Sequence, residues 1–188
     1  MTANTATVTP IHGGLDQPIN RIVPADTARW NGLAKLEVSD VDQTSLYRIA
    51  DGTLSPLTGP MGKADYDSVL KSACIERGGK NWAWTIPIVL PVTDDEAAGL
   101  EAGAEVALCA NGEAFGTLKV SDVYDWDKAA FIKAVYRTDR TDHPGARLWT
   151  TDKRTKLVGG EISLAAFDET RPFAKRIMGP AQTRALIE

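Results

Sequence analysis

The chain has two histidines in 188 residues, His12 and His143, and each is set where it could hold an anion. His12 precedes Gly13-Gly14, a pair that forces a turn and presents the imidazole, with Arg21 nine residues on. His143 precedes Pro144, which holds it in extended backbone rather than inside a helix. It lies in a run where Arg137, Arg140, Arg147, Lys153, Arg154 and Lys156 face Asp139, Asp142 and Asp152. Such a run is ordinarily a solvated face, and the alternative is a surface that leans toward an anionic ligand or acidic partner. His12, Arg21 and His143 are therefore the candidate substrate- or anion-binding residues; a plain turn role is the competing reading of His12. Covalent and metal chemistry have less to stand on. Cys74 and Cys109 lack metal-ligand spacing and read as packed thiols in a reducing compartment. There is no Gly-x-x-x-x-Gly-Lys-Ser/Thr phosphate loop, no Gly-x-Gly-x-x-Gly, no His-Glu-x-x-His and no Gly-x-Ser-x-Gly. The sequence thus offers no catalytic residue, no metal and no cofactor.

Those residues must be positioned by a frame, and its centre is the stretch from Asp51 to Tyr66. Gly52, Pro56, Gly59, Pro60 and Gly62 break any helix or central strand there, while Leu54, Leu57 and Met61 need something to pack against. The expectation is an ordered loop pinned to the core between two helices. A sharper reading makes its apolar tip, Leu54, Leu57 and Met61, a contact with a neighbouring domain. Around it, Ala34–Val38 alternates as a half-buried strand, and Ser39 with Asp42 opens a helix ending before Gly52. Tyr66, Val69, Leu70 and Ala73 share one face of a second helix. Trp82–Val92 has the residues of a strand, but Pro87 and Pro91 confine it to an edge or a bulge, and Trp82 and Trp84 read as packing rather than stacking platforms. Thr93-Asp-Asp-Glu96 is a capping box for a short helix through Leu100. Asn111-Gly112 joins two alternating strands as a hairpin, and Asp127 caps a further helix. A last strand carries Ile162, Leu164 and Phe167, Arg171-Pro172 breaks the chain, and Pro180 opens a helix through Leu186 and Ile187.

Short strands, proline-broken segments and interspersed short helices make an α+β fold. A composition of 43% hydrophobic residues suffices for a substantial core. A net charge of −4 argues against a nucleic-acid partner. No apolar run reaches the roughly 18 residues of a membrane helix, and the first residues lack a signal-peptide pattern, so a cytoplasmic location is expected.

Several motifs carry a family resemblance. Leu54-Ser-Pro-Leu-Thr-Gly-Pro-Met61 with Ala64-Asp-Tyr66 resembles the Phe-Ser-Pro-Leu-x-Gly-Phe-Met…Asp-Tyr motif of ATP sulfurylase (sulfate adenylyltransferase), with Leu54 and Pro60 replacing aromatics. Pro10-Ile-His-Gly-Gly14 is similar to that family's Pro-His-Gly-Gly, and Ile86-Pro-Ile88 and Val92 to Trp-Pro-Ile-Pro-Ile…Leu-Asp-Val. Val120, Val123, Tyr124, Asp127 and Lys128 correspond to its Val-x-x-Val-Tyr…Asp-Lys; Thr138–Gly145 resembles its Thr-x-Asp-x-x-His-Pro-Gly loop, and Val158-Gly-Gly160 its later strand followed by a Gly-Gly turn. Gly179-Pro-Ala-Gln-Thr-Arg184 resembles the stretch that leads into the family's catalytic domain.

The resemblance implies the N-terminal PUA-like domain, with a small, bent, barrel-like mixed sheet. Its expected boundaries are a flexible terminus over 1–9, the domain over 10–170, and over 171–188 a linker and helix start leading to an absent catalytic domain. The family makes adenylyl sulfate and pyrophosphate from ATP and sulfate, using Gln-x-Arg-Asn-Pro-x-His and Gly-Arg-Asp-His. Neither motif occurs here. The implied partner is a catalytic domain of the same polypeptide or complex, met through Leu54, Leu57, Met61, Leu186 and Ile187, with a homo-oligomer as a further possibility. A free-standing PUA-like module for RNA or a small anion is the alternative.

Overall fold

The computed structural model describes residues 9–138, 140, 142–167 and 173–187. The expected loose terminus (all but Thr9), Asp139 of the basic run and the Arg171-Pro172 break lie outside them. In chain order the elements are β1 (Ile22–Val23), α1 (Thr27–Asn31), β2 (Lys35–Glu37), α2 (Asp40–Ala50), α3 (Lys63–Ser72), β3 (Cys74–Arg77) and β4 (Lys80–Ala83). There follow β5 (Leu90–Val92), α4 (Asp94–Ala98), β6 (Glu105–Ala110), β7 (Glu113–Asp125), α5 (Lys128–Tyr136), α6 (Pro144–Thr151), β8 (Lys156–Ala165) and α7 (Pro180–Ile187), the last preceded by a 3-10 turn at Ala174–Arg176.

Side-chain caps set the helix starts. Ser39 accepts the Asp42 N–H, Asp127 accepts the Ala130 N–H, and Thr93 and Glu96 cap reciprocally in a full box. Two further helices also carry side-chain caps. Asp26 caps α1, a five-residue turn of helix that buries Trp30. His143 caps α6, whose first residue is Pro144, a position where the missing N–H costs nothing. Helix α4 ends at Ala98, capped by Gly99, and does not reach Leu100.

The main sheet runs β1-β8-β7-β6-β2, with β5 also paired to β8. It is mixed: β1–β8 and β2–β6 are parallel, and β5–β8, β6–β7 and β7–β8 antiparallel. Bulges at Leu108/Cys109 and Val120/Asp122 bend it. The expected bend is present, but the sheet stays open with β1 and β2 at its ends, so no closed barrel forms among the described residues. A second sheet is the β3–β4 hairpin, turning at Gly78-Gly79.

The largest core cluster lies between the sheet, α2 and the 54–61 segment, with Leu46, Ile49, Leu57, Met61, Leu118 and Ile162 almost fully enclosed. A second, aromatic-rich cluster joins α3, α5 and α6 through Tyr66, Trp126, Phe131 and Trp149. Cys109 is buried and Cys74 half-buried; both are free thiols, and burial pushes the Cys109 thiol above its usual range. Among the described residues no helix is long and apolar enough to cross a membrane.

Candidate functional site

The 51–62 segment is held along its whole length, and its attachment explains where the glycines and prolines fall. Gly52 has φ +86°, and a Cβ there would sit 2.3 Å from the Ile19 carbonyl oxygen. Beside it Ser55, buried, donates to the Gly52 carbonyl at 2.6 Å and accepts the Ile19 N–H at 2.9 Å. Further on, the Thr58 and Pro60 carbonyls accept the Ile162 and Gly160 N–H groups at 3.0 and 3.2 Å. The segment thereby fills the edge of β8 between β1, which pairs at Leu164–Ala165, and β5, which pairs at Lys156–Val158. Pro60 suits an edge because only its carbonyl takes part. Met61 donates its N–H to Ile88 at 2.9 Å, and its carbonyl accepts the buried Tyr124 hydroxyl at 2.7 Å.

Close backbone approach makes this possible. A Cβ on Gly59 would lie 1.8 Å from the Gly160 oxygen, and one on Gly159 would lie 2.5 Å from the Gly62 Cα. Gly159-Gly160 is therefore not the turn expected after Val158. It lies inside β8, stripped of side chains so that the crossing segment can reach the strand.

The same packing revises the reading of the apolar tip. Leu57 and Met61 are each 2% exposed and belong to this chain's own core, with Leu54 half-buried against it. They face inward and leave little for a neighbouring domain to touch.

On its outer side the segment borders a cleft of about 430 Å³, lined also by Asp65, Arg77, Lys119, Ser121 and Glu161. Arg77 is locked to Asp65 through two hydrogen bonds of 2.9 and 2.5 Å, which hold its guanidinium even more firmly protonated than usual against the cost of burial. Lys119 stands opposite Glu161 in the β7–β8 register. At one end Asp122 accepts the Lys63 N–H at 2.8 Å and the Ser121 hydroxyl at 2.7 Å. Gly62 supplies no side-chain cap for α3, so this carboxylate, reaching over from the β7 bulge, caps the helix from another element. Burial foremost, then Asp122 and other nearby negative charge, pushes the Tyr124 hydroxyl above the usual phenol range. Burial likewise raises Tyr66, with Asp127 and Asp67 adding to it. Both phenols stay protonated near neutrality; Tyr124 is a structural hydrogen-bond donor and Tyr66 a packing group in the aromatic cluster. The arrangement can recognise and position.

The three residues singled out for anion binding are held by separate parts of the fold. His12 is exposed, donates from Nε2 to the Ala83 carbonyl at 2.8 Å, and packs edge-on against Trp82 with ring centres 5.3 Å apart. Arg21 donates from Nε to the Ile162 carbonyl at 2.6 Å and lies 3.5 Å from Glu161. His143 accepts the Ala146 N–H on Nδ1 at 3.4 Å and rests on the Tyr136 ring. Among the described residues no hydrogen bond, ion pair or ring contact joins any two of these three.

Much of the basic run is neutralised. Lys156 pairs with Asp125 at 2.5 Å, and Arg140 pairs with Asp142. Arg154 is the anchor of a network that sequence inspection misses: it binds Asp152 through Nε and Nη2, and through Nη1 meets the buried Asp42 at 2.6 Å and the Pro91 carbonyl at 3.2 Å. Burial opposes its charge, but the hydrogen bonds to Asp152 and Asp42 outweigh that and fix it as a cation. Residues 42 and 154 are 112 positions apart, and no local pattern links them. No group of three or more His, Cys, Asp or Glu side chains placed to hold a metal occurs among the described residues.

Comparison with known proteins bears directly on this arrangement. A model of the PUA-like domain family matches residues 12–166. A sulfate adenylyltransferase of Pyropia yezoensis is 59% identical over 184 residues, covering 97% of this chain and 44% of that protein. Those of Desulforamulus reducens and Deinococcus radiodurans are 33% and 35% identical, covering 94% and 100% of this chain but 46% and 47% of their own length. The chain therefore spans a little under half of these curated relatives. Among solved structures, the hexameric APS kinase from Thiobacillus denitrificans superposes with a TM-score of 0.65 at 24% identity, over 90% of this chain and 30% of that one, a likeness of fold.

Proposed function

The chain belongs to the PUA-like domain family, and we propose that it is the N-terminal PUA-like domain of a sulfate adenylyltransferase, the enzyme that joins ATP and sulfate into adenylyl sulfate and pyrophosphate. The observation that carries this reading is the 59% identity to such an enzyme across 97% of the chain. ATP and sulfate are the substrates of the whole enzyme, and the cytoplasm is its place of work.

In that reaction a sulfate oxygen displaces pyrophosphate at the α-phosphorus, crowding negative charge that must be met by preorganised cations and hydrogen-bond donors. In the described residues the arginines nearest this role are already spoken for. Arg77 is held by Asp65, Arg154 by Asp42 and Asp152, and Arg21 by a backbone carbonyl and Glu161. This division supports a chain that frames the enzyme, with the reacting groups supplied by the other half of the polypeptide. The free-standing RNA or anion module is the less favoured reading, because relatives matched along nearly the whole chain are sulfate adenylyltransferases.

The test is made on the polypeptide that carries both halves. Pyrophosphate release from ATP should depend on sulfate and saturate with it. Release that ignores sulfate, or none at all, overturns the assignment.

A further inference from the structure

Resting on that reading, we propose that Phe173, Ile177, Met178, Leu186 and Ile187 form the surface on which the other half of the enzyme seats. These five are 73%, 59%, 51%, 72% and 66% exposed. They make up most of the eight large apolar side chains left exposed in the described structure, yet all fall within residues 173–187. Scattered exposed leucines are ordinary on a protein surface, whereas a contiguous concentration marks a contact. No residue of this segment joins any of the three core clusters.

The segment is nonetheless ordered locally. The Gly179 N–H donates to the Gln182 side chain at 3.0 Å, Thr183 bonds back to Gly179, and Arg176 lies over the Phe173 ring. Arg184 donates to the Thr9 carbonyl at 2.8 Å, a polar contact between α7 and the start of the described chain. A helix of eight residues is marginal on its own in water and owes its persistence to packing of an apolar face. Among the described residues, none of this segment belongs to a core cluster that would supply such packing. Exposed Arg176 and Gln182 stand among the apolar side chains, the polar fringe with an apolar centre that protein interfaces show.

The other half of the enzyme is the occupant the page favours. The relatives carry more than half of their length outside the matched stretch, so a large body is available to meet this surface. A second copy of the chain is the competing occupant.

Cysteine labelling separates the two. Ile177→Cys and Leu186→Cys are made one at a time with Cys74→Ala, and Leu148→Cys, at a site 57% exposed on α6, serves as the reference. In the 188-residue chain all three should react with a maleimide at similar rates. In the polypeptide carrying both halves, positions 177 and 186 should react at least about tenfold more slowly, as sites that must open before they react do, while position 148 keeps its rate. Equal rates in both proteins overturn the proposal. Protection in the 188-residue chain that grows with its concentration also overturns it, in favour of a second copy. Pyrophosphate release is read separately on the unsubstituted protein, so protection without activity would overturn the assigned reaction and leave this surface standing.

Discussion

Asp122 carries a sharp test of how the 51–62 segment and α3 are held. Its carboxylate accepts the Lys63 N–H at 2.8 Å, and Gly62 offers no alternative cap. Replacing Asp122 by Ala leaves the first turn of α3 uncapped and removes negative charge from the helix N-terminus. Loss of a cap costs about 1 kcal/mol and loss of the charge about 0.3–1 kcal/mol, and Ser121 also loses its acceptor, so the sum is about 2 kcal/mol. For a protein of this size each kcal/mol moves Tm by about 2–4 °C, giving a fall of about 4–8 °C. Asp122→Asn keeps an acceptor oxygen and loses only the charge, so its fall should be about 1–4 °C. Calorimetry gives both numbers, and hydrogen exchange at residues 63–66 should accelerate in the alanine variant first. An alanine variant melting within a degree of the parent would refute the cross-element cap. An asparagine variant as weak as the alanine one would show that charge alone carries the effect.

Gly59→Ala should be the harsher change at the same place. Its Cβ would meet the Gly160 oxygen at 1.8 Å, a backbone atom that cannot swing aside, so urea unfolding should show a loss of about 3 kcal/mol or more; a loss below 1 kcal/mol would mean the segment can shift freely. Arg154→Ala strands the buried Asp42 carboxylate and frees Asp152, for a loss of about 3–5 kcal/mol at neutral pH in the same assay. The pH arm follows from Asp152: burial disfavours its charge, but Arg154 outweighs burial and holds its pKa below the usual carboxylate range. A carboxyl depressed in the folded state stabilises above its unfolded value of about 3.9 and loses that contribution as pH falls through the folded value. Acid unfolding followed by circular dichroism should therefore begin at higher pH in Arg154→Ala, and an unchanged midpoint would count against the network. Ala73→Gly relieves a left-handed C-cap (φ 51°) on α3 and should leave stability equal or raise it by up to about 1 kcal/mol; a clear loss would show that the Ala73 methyl packs more than it strains.

What the sequence makes legible here is local. The caps at Ser39, Thr93 and Asp127 and the Asn111-Gly112 hairpin follow from a few adjacent residues, and each is present. The motif at Leu54–Met61 identifies the family and an ordered loop, yet the direction of its apolar side chains depends on β8, which lies a hundred residues further along the chain. For the same reason Gly159-Gly160 reads as a turn by itself and becomes a strand once the 59–62 segment lies against it. Asp122 and Arg154 give no local signal, because one caps a helix from a different strand and the other pairs across 112 positions. His12, Arg21 and His143 drew notice for their residue types, and each is satisfied by backbone or a neighbouring ring.

The central claim is that this chain frames a sulfate adenylyltransferase while the chemistry resides in the other half. Pyrophosphate release from ATP and sulfate by the purified 188-residue chain tests it most directly. The account predicts release at the level of a protein-free control, at any sulfate concentration. Sulfate-dependent turnover above that control would contradict it, and would place the reacting groups within this chain.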